Sequence, residues 1–201
     1  MNNSQYPIHE IVFTVQGEGF HSGTPSIFVR LGGCNVGCTW CDIKESWNAD
    51  LYKLKKSSEI LDNIKQYKCK TVVITGGEPL LYNLSELTEI LKSEGYKIHL
   101  ETSGAYKISG AFDWVCFSPK KFKKPIDDFA KNANELKVII YNKSDFNWAE
   151  NYRKTVSSHC KLYLQAEWSR RNTANNMIID YIKNHSDWKI SLQTHKYLDI
   201  P

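Results

Sequence analysis

The sequence predicts an α/β fold: a partial (β/α) barrel on a mainly parallel sheet, with some outer helices shortened or missing. Three observations lead there. Apolar, β-branched runs alternate with segments of helical periodicity, the pattern of parallel strands joined by crossovers. Two connections, from Glu101 to Asp113 and from Phe117 to Leu136, are short or rich in Lys, Pro and Asp, and leave little room for a crossover helix. Polar residues also gather directly after successive strands, at residues 34–42, 75–78, 101–103, 118–120 and 165–168. That is the end of a parallel sheet or barrel where active sites sit.

The elements follow in order. Residues 8–15 alternate loosely and read as a short strand. Gln16-Gly17-Glu18-Gly19 is either a hairpin turn or a binding loop that brings backbone close to a ligand. Residues 26–31 form a strand that runs into a cysteine-rich loop. Residues 51–67 read as a helix, with Ser57 as its N-cap and Ile60, Leu61, Ile64 and Tyr67 on one apolar face. Residues 70–75 are β-branched and read as a buried strand ending in Thr75-Gly76-Gly77-Glu78-Pro79. A helix over 84–94 buries Leu84, Leu87, Ile90 and Leu91 and stops at Gly95. Strands follow at 97–101, 113–117, 136–141, 161–165 and 188–192, with helices at 145–154 and 173–184 between the later ones.

The chain has 201 residues, 41% of them hydrophobic, which suits one domain over residues 1–201 better than two. No apolar run approaches a membrane span, and the polar start Met1-Asn2-Asn3-Ser4-Gln5 does not read as a signal peptide. The expected location is cytoplasmic, with reduced cysteines. A net charge of +4 and scattered aromatics give no basis for a nucleic-acid or membrane surface. The run Lys120-Lys121-Phe122-Lys123-Lys124 reads mostly as a solvated loop, in which only Lys120 has a motif-based case for contact with a ligand.

Cys34, Cys38 and Cys41 have the spacing C-x3-C-x2-C in a glycine-flanked loop. Soft thiolates suit iron or zinc, and the glycines let the backbone wrap one centre. An iron–sulfur cluster usually takes four cysteines, so three would leave one iron open to a small molecule. A structural zinc site would need a fourth ligand, for which His21 is the candidate. A disulfide framework fits poorly, because the loop holds an odd number of cysteines. Cys69, Cys116 and Cys160 are isolated and read as buried thiols acting as small hydrophobes.

With Trp40 just before its last cysteine, the loop resembles that of the radical S-adenosylmethionine enzymes, whose smallest members have a trimmed barrel. Gly76-Gly77-Glu78-Pro79 resembles the glycine-rich strand end of that superfamily, where a carboxylate and close backbone suit the cofactor's amino group. The combination of Val15-Gln16-Gly17-Glu18-Gly19, Phe28-Val29-Arg30-Leu31-Gly32-Gly33-Cys34-Asn35, Trp40-Cys41-Asp42, Glu101-Thr102-Ser103-Gly104, Ser118-Pro119-Lys120 and Leu192-Gln193-Thr194-His195-Lys196, with Ile200-Pro201, is similar to the 7-carboxy-7-deazaguanine synthase family. That family converts 6-carboxy-5,6,7,8-tetrahydropterin to 7-carboxy-7-deazaguanine with loss of ammonia, on the route to queuosine.

The resemblance implies a [4Fe-4S] cluster on Cys34, Cys38 and Cys41. It implies S-adenosylmethionine contacts at Trp40, Cys41, Asp42, Gly77, Glu78, Ser118, Pro119, Lys120, Gln165, Ala166, Glu167 and Trp168. It implies substrate contacts at Val15, Gln16, Gly17, Glu18, Arg30, Thr75, His195 and Pro201, the last through its carboxylate. It further implies Mg2+, an electron donor such as flavodoxin, and a homodimer. Arg30 can grip the substrate carboxylate through two parallel hydrogen bonds. In one departure, the family's usual magnesium-binding Thr after the Cys-Asp pair is Ile43 here, which offers no side-chain oxygen.

Two other functions are weighed. A glycyl-radical enzyme activase would carry the same cysteine spacing but would have no need of the Gln-Gly-Glu-Gly loop or the segment from His195 to Pro201. A non-catalytic zinc module would contain zinc without iron or sulfide.

Overall fold

The computed structural model describes residues 4–201. Among the described residues nine strands form one sheet in the order β3-β1-β2-β4-β5-β6-β7-β8-β9. They are β1 (Gln5–Val15), β2 (Pro25–Leu31), β3 (Leu54–Lys56), β4 (Thr71–Gly76), β5 (Lys97–Thr102), β6 (Trp114–Phe117), β7 (Glu135–Ile140), β8 (Lys161–Ala166) and β9 (Trp188–Ser191). From β2 through β9 every pairing is parallel, whereas β1 runs antiparallel to both β2 and β3. β3 and β9 are the two edges, so the barrel is open, as the partial-barrel expectation requires.

The helices are α1 (Ser57–Lys65), α2 (Ser85–Ser93), α3 (Ser144–Arg153), α4 (Arg171–Ile182) and the short α5 (Thr194–Leu198). Among the described residues no α-helix joins β5 to β6, and the β6–β7 connection holds only a 3-10 turn at Phe129–Asn132. The first connection is short, and the second is rich in Lys, Pro and Asp, as expected. Aromatic packing replaces the helix there: Phe117 of β6 lies 5.2 Å from the Phe129 ring and 5.4 Å from that of Tyr152 on α3.

Strand alternation divides the sheet into two faces. Ile27, Val29, Leu31, Val72, Ile74, Ile98, Leu100, Val115, Phe117, Leu136, Val138, Ile140, Leu162 and Leu164 belong to the core beneath the helices. Their neighbours Phe28, Arg30, Thr75, Glu101, Cys116, Lys137, Ile139 and Gln165 line the opposite, concave face. An inner face this polar is not a packed core and instead forms the wall of a cavity.

Two expectations are corrected. Helix α1 begins at Ser57, not at residue 51, and its N-cap is Lys56, whose N–H donates to Glu59 Oε2 at 2.7 Å. The preceding residues form β3, whose backbone pairs with Gln5, Tyr6 and Pro7, so β1 starts earlier than residue 8. Gly95, at φ 76°, ends the segment after α2 as expected. No helix of the described residues is long and apolar enough to cross a membrane.

Candidate active site

The strands' carboxyl ends open into a cavity of about 230 Å³. Its upper wall is the cysteine loop, which β2 delivers directly. Gly33 turns the chain at φ 91° and donates to Ser46 O at 2.6 Å, and Cys34 N donates to Trp47 O at 3.1 Å. The end of β4 is stitched to the same loop: Gly77 N donates to Leu31 O at 2.8 Å and Glu78 N to Gly33 O at 2.9 Å. A Cβ at Gly77 would collide with the Gly33 carbonyl, so this contact requires glycine.

Cys34, Cys38 and Cys41 all line the cavity. Burial pushes the Cys34 thiol up against the pull of the Val36 and Gly37 amides. Burial, with further contributions from Cys41 and Cys34, pushes Cys38 up to about 11, although Lys120 opposes it. The three sulfurs thus feel one another in a desolvated pocket. Among the described residues no three His, Cys, Asp or Glu side chains meet closely enough to hold one metal ion. A cluster distributes its thiolates over several irons, so the sulfurs need only face one cavity. The donor set fits a cluster.

Glu78 is buried and its carboxylate is fully engaged. Oε1 accepts from Leu80 N at 3.2 Å and Thr102 Oγ1 at 2.6 Å, while Oε2 accepts from Ser103 N at 2.9 Å and from Ser103 Oγ. It lines the cavity but acts as a brace that locks the end of β4 to the end of β5. Nearby, Lys120 Nζ donates to Ser118 Oγ at 2.5 Å and sits 5.7 Å from the Trp40 ring, which packs on Phe122. Glu167 accepts from Ser169 N and Oγ, and Trp168 packs on Tyr197 at 5.2 Å.

The opposite wall comes from the turn after β1 and the segment after β9. Thr194 N and Oγ1 donate to Gly17 O at 2.9 and 3.0 Å, joining these distant parts. The His195 ring occupies the space a side chain at Gly17 would need. Gln16 Nε2 and Thr75 Oγ1 donate to the two oxygens of Glu101, at 2.9 and 3.1 Å. Glu18 accepts from Lys137 Nζ at one oxygen and from Gln193 Nε2, at 3.0 Å, at the other. Burial raises the Glu18 carboxyl, but the Lys137 ammonium, helped by His195 and Gln193, brings it down to about 2. Burial pushes the His195 imidazole below its ordinary value against the pull of Glu18. Arg30 gives its Nε to Glu10 at 2.9 Å and packs over Phe28.

Every residue expected at the site lines this cavity except Pro119, which is buried behind it, because Ser118 and Lys120 flank it on the opposite pleat. His21 is also absent from the cysteines' cavity. Its ring lies tilted 4.4 Å from that of His99 beneath the site, so it is not a fourth ligand beside them. Cys116 is more than a packing thiol, since it lines the cavity and its Sγ lies 3.6 Å from Glu135. Lys137 and Gln193 were not anticipated. A single lysine inside the run Leu136-Lys137-Val138-Ile139-Ile140 was the available signal for the former.

Comparison with known proteins agrees with this geometry. The profile of the Radical SAM superfamily matches residues 28–131. A 7-carboxy-7-deazaguanine synthase from Flavobacterium psychrophilum is 51% identical over 97% of this chain and 92% of its own length. One from Synechocystis sp. is 47% identical over 97% and 93%. The chain belongs to the 7-carboxy-7-deazaguanine synthase family. The crystal structure of QueE from Escherichia coli matches it with a TM-score of 0.85 at 31% identity, covering 94% of this chain and 93% of that one. Membership of the Radical SAM superfamily entails a [4Fe-4S] cluster and S-adenosylmethionine, and sets aside the zinc module. Full-length likeness to 7-carboxy-7-deazaguanine synthases sets aside the activase.

Proposed function

We propose that this chain converts 6-carboxy-5,6,7,8-tetrahydropterin to 7-carboxy-7-deazaguanine with release of ammonia. The observation that carries the reading is that one cavity collects both halves of the required site. Cys34, Cys38 and Cys41 would hold the cluster. Trp40, Asp42, Gly77, Ser118, Lys120 and the segment from Gln165 to Trp168 would hold S-adenosylmethionine. Glu78 contributes through the backbone it fixes. Together the two bound groups supply a hydrogen-abstracting radical.

On the substrate side, Arg30 has its Nε committed to Glu10 and presents its two terminal nitrogens to the substrate carboxylate. Glu18, with Gln16, Thr75 and backbone at Val15 and Gly17, reads the donor and acceptor edge of the pterin. His195 stays neutral near pH 7, because burial lowers its affinity for a proton. Pro201 is exposed and lines the same cavity. Ile43 offers no side-chain oxygen, and its carbonyl already accepts from Ser46 N at 3.0 Å and Ser46 Oγ at 2.7 Å, so a Mg2+ there would have to be held by substrate and water oxygens.

The same reading takes residues 1–201 as one catalytic domain, cytoplasmic and homodimeric, supplied with electrons by a donor of the flavodoxin kind. The test is anaerobic turnover of reconstituted protein with 6-carboxytetrahydropterin, S-adenosylmethionine and a reductant. The expected products are 7-carboxy-7-deazaguanine and ammonia, with no partner protein required for the chemistry. An intact cluster that gives neither product overturns the reading.

A further inference from the structure

We propose that Lys137 is a positioning residue: from β7 its ammonium aims the Glu18 carboxylate into the cavity and holds it there as a fixed acceptor for the substrate's N–H edge. The proposal rests on the reading of Glu18 as a substrate contact.

The placement of Lys137 is unusual for a lysine. Leu136 and Val138 on either side of it belong to the apolar core, yet Lys137 is only 5% exposed and lines the concave face. A buried ammonium is costly, and a hydrophobic replacement is often neutral or stabilising, so stability does not explain its presence. The surroundings identify the group it serves. Glu101 of β5 already accepts from Gln16 and Thr75. Glu135 of β7 accepts from Phe20 N at 3.2 Å, Trp114 Nε1 at 3.1 Å and Cys116 Sγ at 3.6 Å. The hydrogen bond from Lys137 Nζ goes instead to Glu18 Oε2.

Glu18 needs such support. Its backbone is fixed, since Gly17 O accepts from Thr194 and Gly19 N donates to Ser191 Oγ at 2.9 Å, but the flanking glycines offer no side chain to hold its carboxylate. Lys137 fixes one carboxylate oxygen and Gln193 the other, and each oxygen keeps an acceptor position for a ligand. The charged or titratable groups acting on Glu18 are Lys137 of β7, His195 of α5, Cys116 of β6 and Lys120 after β6. Without Lys137, the effect of burial on Glu18 is opposed mainly by His195 and Gln193, and its carboxyl must titrate higher.

The test compares Lys137→Met, which keeps the length but loses the charge, with Lys137→Arg and Glu18→Gln. Iron content and S-adenosylmethionine binding are the controls for fold and cofactor site. Lys137→Met is expected to lower kcat/KM for 6-carboxytetrahydropterin on the order of hundredfold. It should also move the acid limb of the kcat/KM profile to higher pH than in wild type, while Lys137→Arg keeps the wild-type profile. Wild-type kcat/KM and an unshifted profile in Lys137→Met, with Glu18→Gln impaired, overturn the proposal alone. Full activity in Glu18→Gln overturns the underlying reading of Glu18. If Lys137→Met fails to hold iron, Glu18→Gln is compared with Glu18→Gln/Lys137→Met, which buries no lone charge. Equal kcat/KM in those two supports action through Glu18, and a further tenfold loss in the double variant overturns it.

Discussion

Replacing Glu78 by Gln should destabilise the protein far more than a one-atom change suggests. The carboxylate takes four donors, two on each oxygen, and each oxygen faces one backbone N–H: Leu80 N on one side and Ser103 N on the other. An amide must set its NH2 against one of these pairs whichever way it is turned. Thr102 and Ser103 hydroxyls can rotate, but the backbone N–H cannot. The variant therefore loses a charge-assisted hydrogen bond, worth about 1.5–3 kcal/mol, and strands a buried donor at a further ~1–3 kcal/mol. A total of about 2.5–6 kcal/mol corresponds to a fall in Tm of roughly 5–24 °C for a chain of this size. Anaerobic thermal unfolding by circular dichroism, with and without S-adenosylmethionine, measures it. A Tm within about 2 °C of wild type, with weakened S-adenosylmethionine binding, would refute the brace and make Glu78 a ligand contact.

Changing Cys34, Cys38 or Cys41 to Ala should each abolish bound iron and turnover, whereas Cys69→Ala and Cys160→Ala should retain both; iron and sulfide analysis reads this directly. Ile43→Thr adds a side-chain oxygen beside the proposed magnesium position, so it should lower the Mg2+ concentration needed for half-maximal turnover. Stability should fall on acidification because of His99, whose imidazole burial lowers from 6.5 to about 4. Between those values the unfolded state binds the extra proton, so stability rises with pH there and is lost as pH falls, by about 3 kcal/mol in all. Urea midpoints at pH 7.5 and 4.5 should differ less in His99→Gln than in wild type.

Much of the fold was legible because the outer sheet face is regular. Val72 and Ile74, or Leu136, Val138 and Ile140, repeat at the strand period and face helices whose own apolar stripes were equally plain. The missing helices were legible from one connection barely long enough for a crossover, between β5 and β6, and one whose Lys, Pro and Asp content disfavours a helix, between β6 and β7. β3 was not legible, because three residues, Leu54-Lys55-Lys56, form a strand only through pairing with distant Gln5, Tyr6 and Pro7. In sequence they merge with the helix that follows. The cysteine loop and the glycine turn at Gly76 and Gly77 declared themselves by local spacing. Lys137 and Gln193 did not, since their roles arise from the side chains that strand register and the segment after β9 bring to Glu18. Glu78 was visible as a residue, but its four donors come from the end of β5 and the turn after β4, and spacing alone does not reveal them.

The most direct measurement is an anaerobic crystal structure of the reconstituted protein with S-adenosylmethionine and 6-carboxytetrahydropterin bound together. The account predicts a cluster on Cys34, Cys38 and Cys41, the substrate carboxylate on the terminal nitrogens of Arg30, and the pterin edge on Glu18 with Lys137 still paired behind it. A pterin bound outside this cavity, or held with Arg30 and Glu18 both turned away from it, would contradict the account.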